Sequence, residues 1–187
     1  MNVASRECSY CLNGAVAYAR VVTISVRGAR PGDGAALVAL HAEMGAYYAE
    51  LAPQDFRAPD VDGLAAELDS ELRSSSGDEL ALVAEVDGEI VGALWAVMLH
   101  PPVDAERQID HDITKPRVRI DYVVTTASRR RQGVGAQLVK AAEAWGREKG
   151  AVTAEASTYR PSPLSFPFWT DQMGYEERSV SLRKRLS

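Results

Sequence analysis

At 187 residues, 46% hydrophobic and 25% charged, the chain has the composition of one soluble globular domain rather than a multidomain assembly. Folding removes roughly 70% of the unfolded surface at this size, so an apolar core forms without disulfide staples. With 21 basic and 26 acidic residues the net charge is −5, which excludes nucleic-acid binding through overall attraction and leaves room only for a local basic patch.

Residues 1–20 read as a flexible leader and residues 21–187 as a single domain with no internal repeat or linker. The leader's apolar stretch is short and its positive charge sparse for a secretion signal. No apolar run reaches the roughly 18 residues that would cross a bilayer, so no membrane association is expected. Cys8 and Cys11 are the only cysteines and lie together in the leader, so a reducing, cytoplasmic setting is expected. A lone C-x-x-C without a second ligand pair implies no metal site.

The elements alternate between strand and helix periods, the pattern of a mixed α/β domain. Residues 21–26 (VVTISV) are a β-branched first strand. Pro31, Gly32 and Asp33 supply a turn and a helix cap, after which Leu37, Leu40, Met44, Tyr47 and Tyr48 keep helical spacing up to Pro53. Asp60 or Asp62 caps a second helix with Leu64, Leu68 and Leu72 on one stripe. Residues 80–86 and 89–99 flank Asp87-Gly88, the strongest hairpin signal in the chain. A long loop over residues 100–117 separates this hairpin from a strand at 118–125. A helix follows at 134–149 with Val134, Leu138, Ala142 and Trp145 on one face, then a strand at 151–156, a short helix at 166–173 and a last strand at 178–185. Exposed strands near this end allow a homodimer.

The segment that carries chemistry is Arg129-Arg130-Arg131-Gln132-Gly133-Val134-Gly135, between a strand and the helix it opens. Two glycines remove side chains where backbone amides must approach a ligand, and the helix N-terminus adds about half a positive charge. Arginines beside such a cradle neutralise phosphate oxygens, so a diphosphate fits it best. A plain strand-to-helix turn with solvated arginines is the competing reading. A dinucleotide fingerprint is disfavoured because Leu138 stands where a third glycine belongs, although Glu155 lies at the distance expected for a ribose-binding acid.

Arg130-x-x-Gly133-x-Gly135, after Tyr122-Val123-Val124 and before an amphipathic helix, resembles the acetyl-coenzyme A signature of the GNAT superfamily of N-acetyltransferases. The order of elements is similar over about residues 22–186, as are the opening at residues 24–33 and the closing Phe168-Trp169-Thr170-Asp171-Gln172-Met173-Gly174-Tyr175. The resemblance implies a GNAT-like acyl-CoA N-acyltransferase fold, a central mixed, mostly antiparallel twisted sheet flanked by about four helices. It implies acetyl-CoA as acyl donor, no metal, and a small-molecule or peptide amine as acceptor. The diphosphate would rest on the turn at Gln132, Gly133, Val134, Gly135 and Ala136, backed by Arg129, Arg130 and Arg131. The pantetheine arm would pair with the strand at Tyr122, Val123, Val124 and Thr125, and a strand amide, that of Val123, would hold the oxyanion.

An acceptor like lysine, with a pKa of about 10.4, costs roughly 4.6 kcal/mol to present uncharged at pH 7, so a base is expected. Asp121, nine residues before Arg130, is the candidate, against a reading as a strand-edge partner of Arg119. At the proton donor the chain departs from the family: the position of its usual tyrosine falls on Trp169 or Thr170. Tyr159 is carried forward as candidate donor, with Tyr122 and solvent as competitors, since a thiol with pKa about 8.5 leaves readily. His41, Glu43, Tyr47, Tyr48 and Glu50 either line the acceptor side or form a solvated helix face. His100, Asp110, His111 and Asp112 read as loop residues, and Arg183-Lys184-Arg185 as a strand terminus. The missing phenol also allows a non-catalytic acyl-CoA sensor with the same fold.

Overall fold

The structure is a computed structural model that describes residues 23–74, 76–184 and 186. Residues 1–22, with Cys8, Cys11, Val21 and Val22, and Arg185 lie outside the described residues. A five-stranded sheet runs in the order β1 (Ile24–Gly28), β2 (Glu79–Val86), β3 (Glu89–Leu99), β4 (Arg117–Thr125), β5 (Thr153–Ala156). All neighbours are antiparallel except β4 and β5, which are parallel. On one face lie α1 (Gly34–Leu51) and α2 (Leu64–Ser74), on the other α3 (Val134–Glu148). The chain then forms α4 (Ser165–Pro167), which runs into a π-helical turn (Phe168–Gln172). No helix among the described residues is long and apolar enough to cross a membrane.

The β2–β3 hairpin turns on Asp87 and Gly88, with φ of 51° and 84°, the left-handed pair that matches strand twist. In β4 the pairing with β3 slips between Ile120 and Tyr122, so Asp121 is an unpaired bulge residue. The slip exchanges faces: Val118 and Ile120 belong to the core under α3, whereas Val124 and Tyr122 pack with the core under α1 and α2. Beyond the bulge β4 also parts from β5, whose pairing ends at Ile120 with Ala156. The sheet therefore opens along Asp121 to Thr125.

The position of α3 depends on Gly92 of β3. A Cβ there would stand 2.8 Å from Val134 Cγ1 and 3.0 Å from the Val124 carbonyl oxygen, so its absence lets the first turn of α3 rest on the sheet.

Three expectations need correction. Asp33 makes no side-chain cap; its carboxylate takes two hydrogen bonds from Arg27, at 2.7 and 3.0 Å, and one from the Arg30 amide. The amides of Gly32 and Gly34 donate instead to Asp69 of α2, at 2.9 and 3.0 Å. Neither Asp60 nor Asp62 caps α2, because the helix opens on Gly63, whose carbonyl accepts the Ala66 and Glu67 amides; Asp60 accepts the Asp62 amide. Residues 178–184 form no strand. Arg178 is held by Asp110 and Asp112, at 2.6 and 3.0 Å, and Val180 and Leu182 stay exposed, so side-chain ion pairs replace a ladder.

Gly92→Ala should destabilise the domain by about 1–3 kcal/mol in urea unfolding, since the carbonyl it meets belongs to the β4 backbone. The Arg27 guanidinium holds the Asp33 carboxyl below its ordinary value of 3.8. Asp33 therefore stabilises the fold fully above that value and progressively less as pH falls through the lowered one. Asp33→Asn should be less stable than the parent at pH 7, and the gap should close in strong acid.

Candidate active site

The turn between β4 and α3 carries a run of free backbone donors. Among the described residues no hydrogen bond engages the amides of Arg131 and of residues 133–136, while the Gln132 amide closes the turn over Arg130 and Arg131; the next amide, from Gln137, donates to the Gly133 carbonyl at 3.0 Å. Arg131 and Gly133 both take left-handed φ, 60° and 88°, which turns successive N–H groups to one side. The 15-residue helix behind them presents its positive end to the same place. The two glycines act differently. A Cβ at Gly133 would meet nothing within 4 Å, so glycine is needed there for its backbone conformation. At Gly135 a Cβ would lie 3.3 Å from the Phe168 ring, so glycine there lets the terminal helix close against the cradle.

The cradle opens into a cleft of about 850 Å³. Its walls include Asp121, Tyr122, Val123, Val124 and Thr125 of the open β4 edge, Arg129, Arg130 and Arg131, and Gly133, Val134, Gly135 and Ala136. The structure thus brings together every expected cofactor residue except the side chain of Gln132, which donates to the Ser128 carbonyl at 3.2 Å and lies outside the lining. Arg130 is turned back onto the fold: its Nε donates to the Thr125 carbonyl at 3.3 Å, its guanidinium lies 3.5 Å from Glu43 and stacks 5.4 Å from the centre of the Tyr47 ring.

Glu43 holds the turn in place, a contribution that its place on the first helix did not reveal in the sequence. From α1 its carboxylate accepts the Thr126 hydroxyl at 2.8 Å and the Ala127 amide at 2.5 Å, and faces Arg130. It ties the turn to α1 and lines no part of the main cleft. Glu50 is exposed, whereas His41, Tyr47 and Tyr48 do line the cleft. Ser162 is 1% exposed and shares a 2.9 Å hydrogen bond with Tyr47; Tyr48 donates to Ser165 at 3.1 Å. These bonds fix the segment after β5 against α1 as the far wall. A serine-rich stretch beside prolines was the only sequence signal for it.

Asp121 lines the cleft at the bulge, and its Oδ1 accepts from Arg119 Nε at 2.6 Å. Tyr159 also lines the cleft, packed edge-on to Phe56, with its hydroxyl donating to Asp55 at 3.3 Å. Burial pushes the Tyr122 hydroxyl up to about 12, with the charge of Glu71 adding to it, so this phenol stays neutral at pH 7. Trp169 is buried in the core, and the Thr170 hydroxyl donates to the Phe166 carbonyl at 3.2 Å and to Asp171 at 2.8 Å. Neither supplies a phenol. Of the loop residues His100, Asp110, His111 and Asp112, His100 faces Asp78 and the two aspartates face Arg178; no group of three or more metal-capable side chains converges among the described residues.

The chain is 31% identical over 97 residues to the probable N-acetyltransferase HLS1 of Arabidopsis thaliana, a stretch that is 50% of this chain and 24% of that protein. Its fold is similar to that of a transcriptional regulator from Bacillus halodurans C-125, with a TM-score of 0.65, 23% identity, and 88% of this chain and 100% of that one covered. It is also similar to aminoglycoside N-acetyltransferase AAC(6')-Iy, solved in complex with CoA, with a TM-score of 0.61, 22% identity, and 90% of this chain and 99% of that one covered. Residues 44–175 match the sequence profile of the Acetyltransferase (GNAT) family, and over this span lie the bulge, the cradle and the terminal helix. The chain belongs to the GNAT family of acetyltransferases.

Proposed function

We propose that the chain transfers the acetyl group of acetyl-CoA to a primary amine of a small molecule or peptide, by direct attack in a ternary complex. The observation that supports this most is the set of free amides at Arg131 and at 133–136 beside an open strand edge in one cleft. The residues fit the donor: the amides and α3 dipole match a diphosphate, and Arg129 and Arg131 add charge. Arg130 holds the turn in shape from within while adding its own charge. When bound, acetyl-CoA supplies an activated thioester carbonyl.

Everything else falls to this chain. The edge of β4 from Val123 to Thr125 accepts the pantetheine arm as an added strand, and the Val123 amide donates to the carbonyl oxygen as negative charge develops. Asp121 removes the proton from the incoming ammonium, with Arg119 fixing one of its carboxylate oxygens. Tyr159 protonates the departing sulfur once its hydroxyl leaves Asp55, in competition with solvent. Trp169 or Thr170 in place of a phenol favours a second reading, an acyl-CoA sensor without turnover.

Calorimetric titration with CoA should show no binding to Gly135→Val, whose side chain meets Phe168 at the cradle mouth, and a loss of about 1.5–3 kcal/mol in Arg130→Ala. Unchanged affinity in both would refute the cradle. Asp121→Asn should bind CoA as the parent does and lose about 10²-fold or more in turnover. CoA binding without thiol release across a panel of amines would establish the sensor instead. Full turnover in Tyr159→Phe would assign the last proton to solvent.

A further inference from the structure

We infer that the acceptor is an amine with an aromatic body and a carboxylate, the chemistry of an aromatic amino acid, and that Arg57 selects it. This rests on the acetyltransferase reading above and assigns its second substrate. The wall of the cleft away from the cradle is a set of rings. Phe56 lies 5.0 Å from Tyr48 and 5.1 Å from Tyr159 between ring centres, yet it is 36% exposed at the surface of the cleft. An exposed phenylalanine held by two tyrosines offers a flat face for another ring.

The charges on this wall are selective. Asp55, next to Phe56, is withdrawn: its side chain is 17% exposed, accepts the Tyr159 hydroxyl and is bound by Arg183. Glu43 is engaged by the turn at 126–130. Arg57 lines the cleft and, among the described residues, makes no ion pair or hydrogen bond. Of the two aspartates in the lining, Asp121 is the proposed base, and Asp171 belongs to the terminal segment that carries Phe168 against Gly135. Of the four arginines in the lining, Arg129, Arg130 and Arg131 flank the cradle, so Arg57 is the cation left for the acceptor. A polycation finds in the lining only Asp121, the proposed base, and Asp171, whereas a carboxylate finds Arg57.

The test compares phenylalanine with phenylalanine amide, phenethylamine, spermidine and an aminoglycoside, in turnover with acetyl-CoA and in calorimetric binding to the CoA-saturated protein. Phenylalanine should be preferred over its amide by about tenfold or more, the worth of one charge-assisted hydrogen bond. Arg57→Ala should erase most of that preference, and Arg57→Glu should reverse it toward the amide. Equal losses for acid and amide in Arg57→Ala would overturn the assignment. So would a preference for spermidine or the aminoglycoside, or CoA binding with no panel member bound or acetylated. Failure to bind CoA at all would instead overturn the acetyltransferase reading itself.

Discussion

Backbone donors left without acceptors are costly when buried, and the β4–α3 turn holds several of them, at Arg131 and from Gly133 to Ala136. The fold keeps them both free and accessible. Gly92 lets α3 settle on the sheet, Gly133 supplies a left-handed step, and Gly135 lets Phe168 approach without a side chain between. Glu43 clamps the other end of the turn through Thr126, Ala127 and Arg130. An anion placed there satisfies the donors that the protein itself does not, and this is the physical basis of the proposed diphosphate site.

The bulge at Asp121 does for the strand what the glycines do for the turn. By shifting the register it sends Ile120 and Tyr122 to opposite cores, ends the contact with β5, and leaves a strand edge that faces solvent within the cleft. The same residue is the carboxylate nearest that edge. A single backbone irregularity thus opens the site and places its candidate base.

Much of this was legible in the chain because it is local. Asp87-Gly88 fixes a hairpin by its own dihedral preferences, and the spacing of Val134, Leu138 and Ala142 marks the buried face of α3. The motif from Arg130 to Gly135 announces the cradle for the same reason. What could not be read depends on partners distant in sequence. Asp69 takes the capping role expected of Asp33 from another helix, and Glu43 reaches a turn 84 residues away. The bulge is defined only against β3. Residues 178–184 alternate like a strand, but Arg178 finds Asp110 and Asp112 and the backbone finds no sheet.

Charge completes the picture: an acidic chain concentrates arginine at one cleft and neutralises or removes most of the carboxylates near it. The most direct measurement is an amide-resolved NMR titration of the protein with CoA. The account predicts that the N–H resonances of Arg131 and of residues 133–136 shift most and to low field, as newly formed hydrogen bonds to phosphate require. Saturable binding with those resonances unmoved would contradict it.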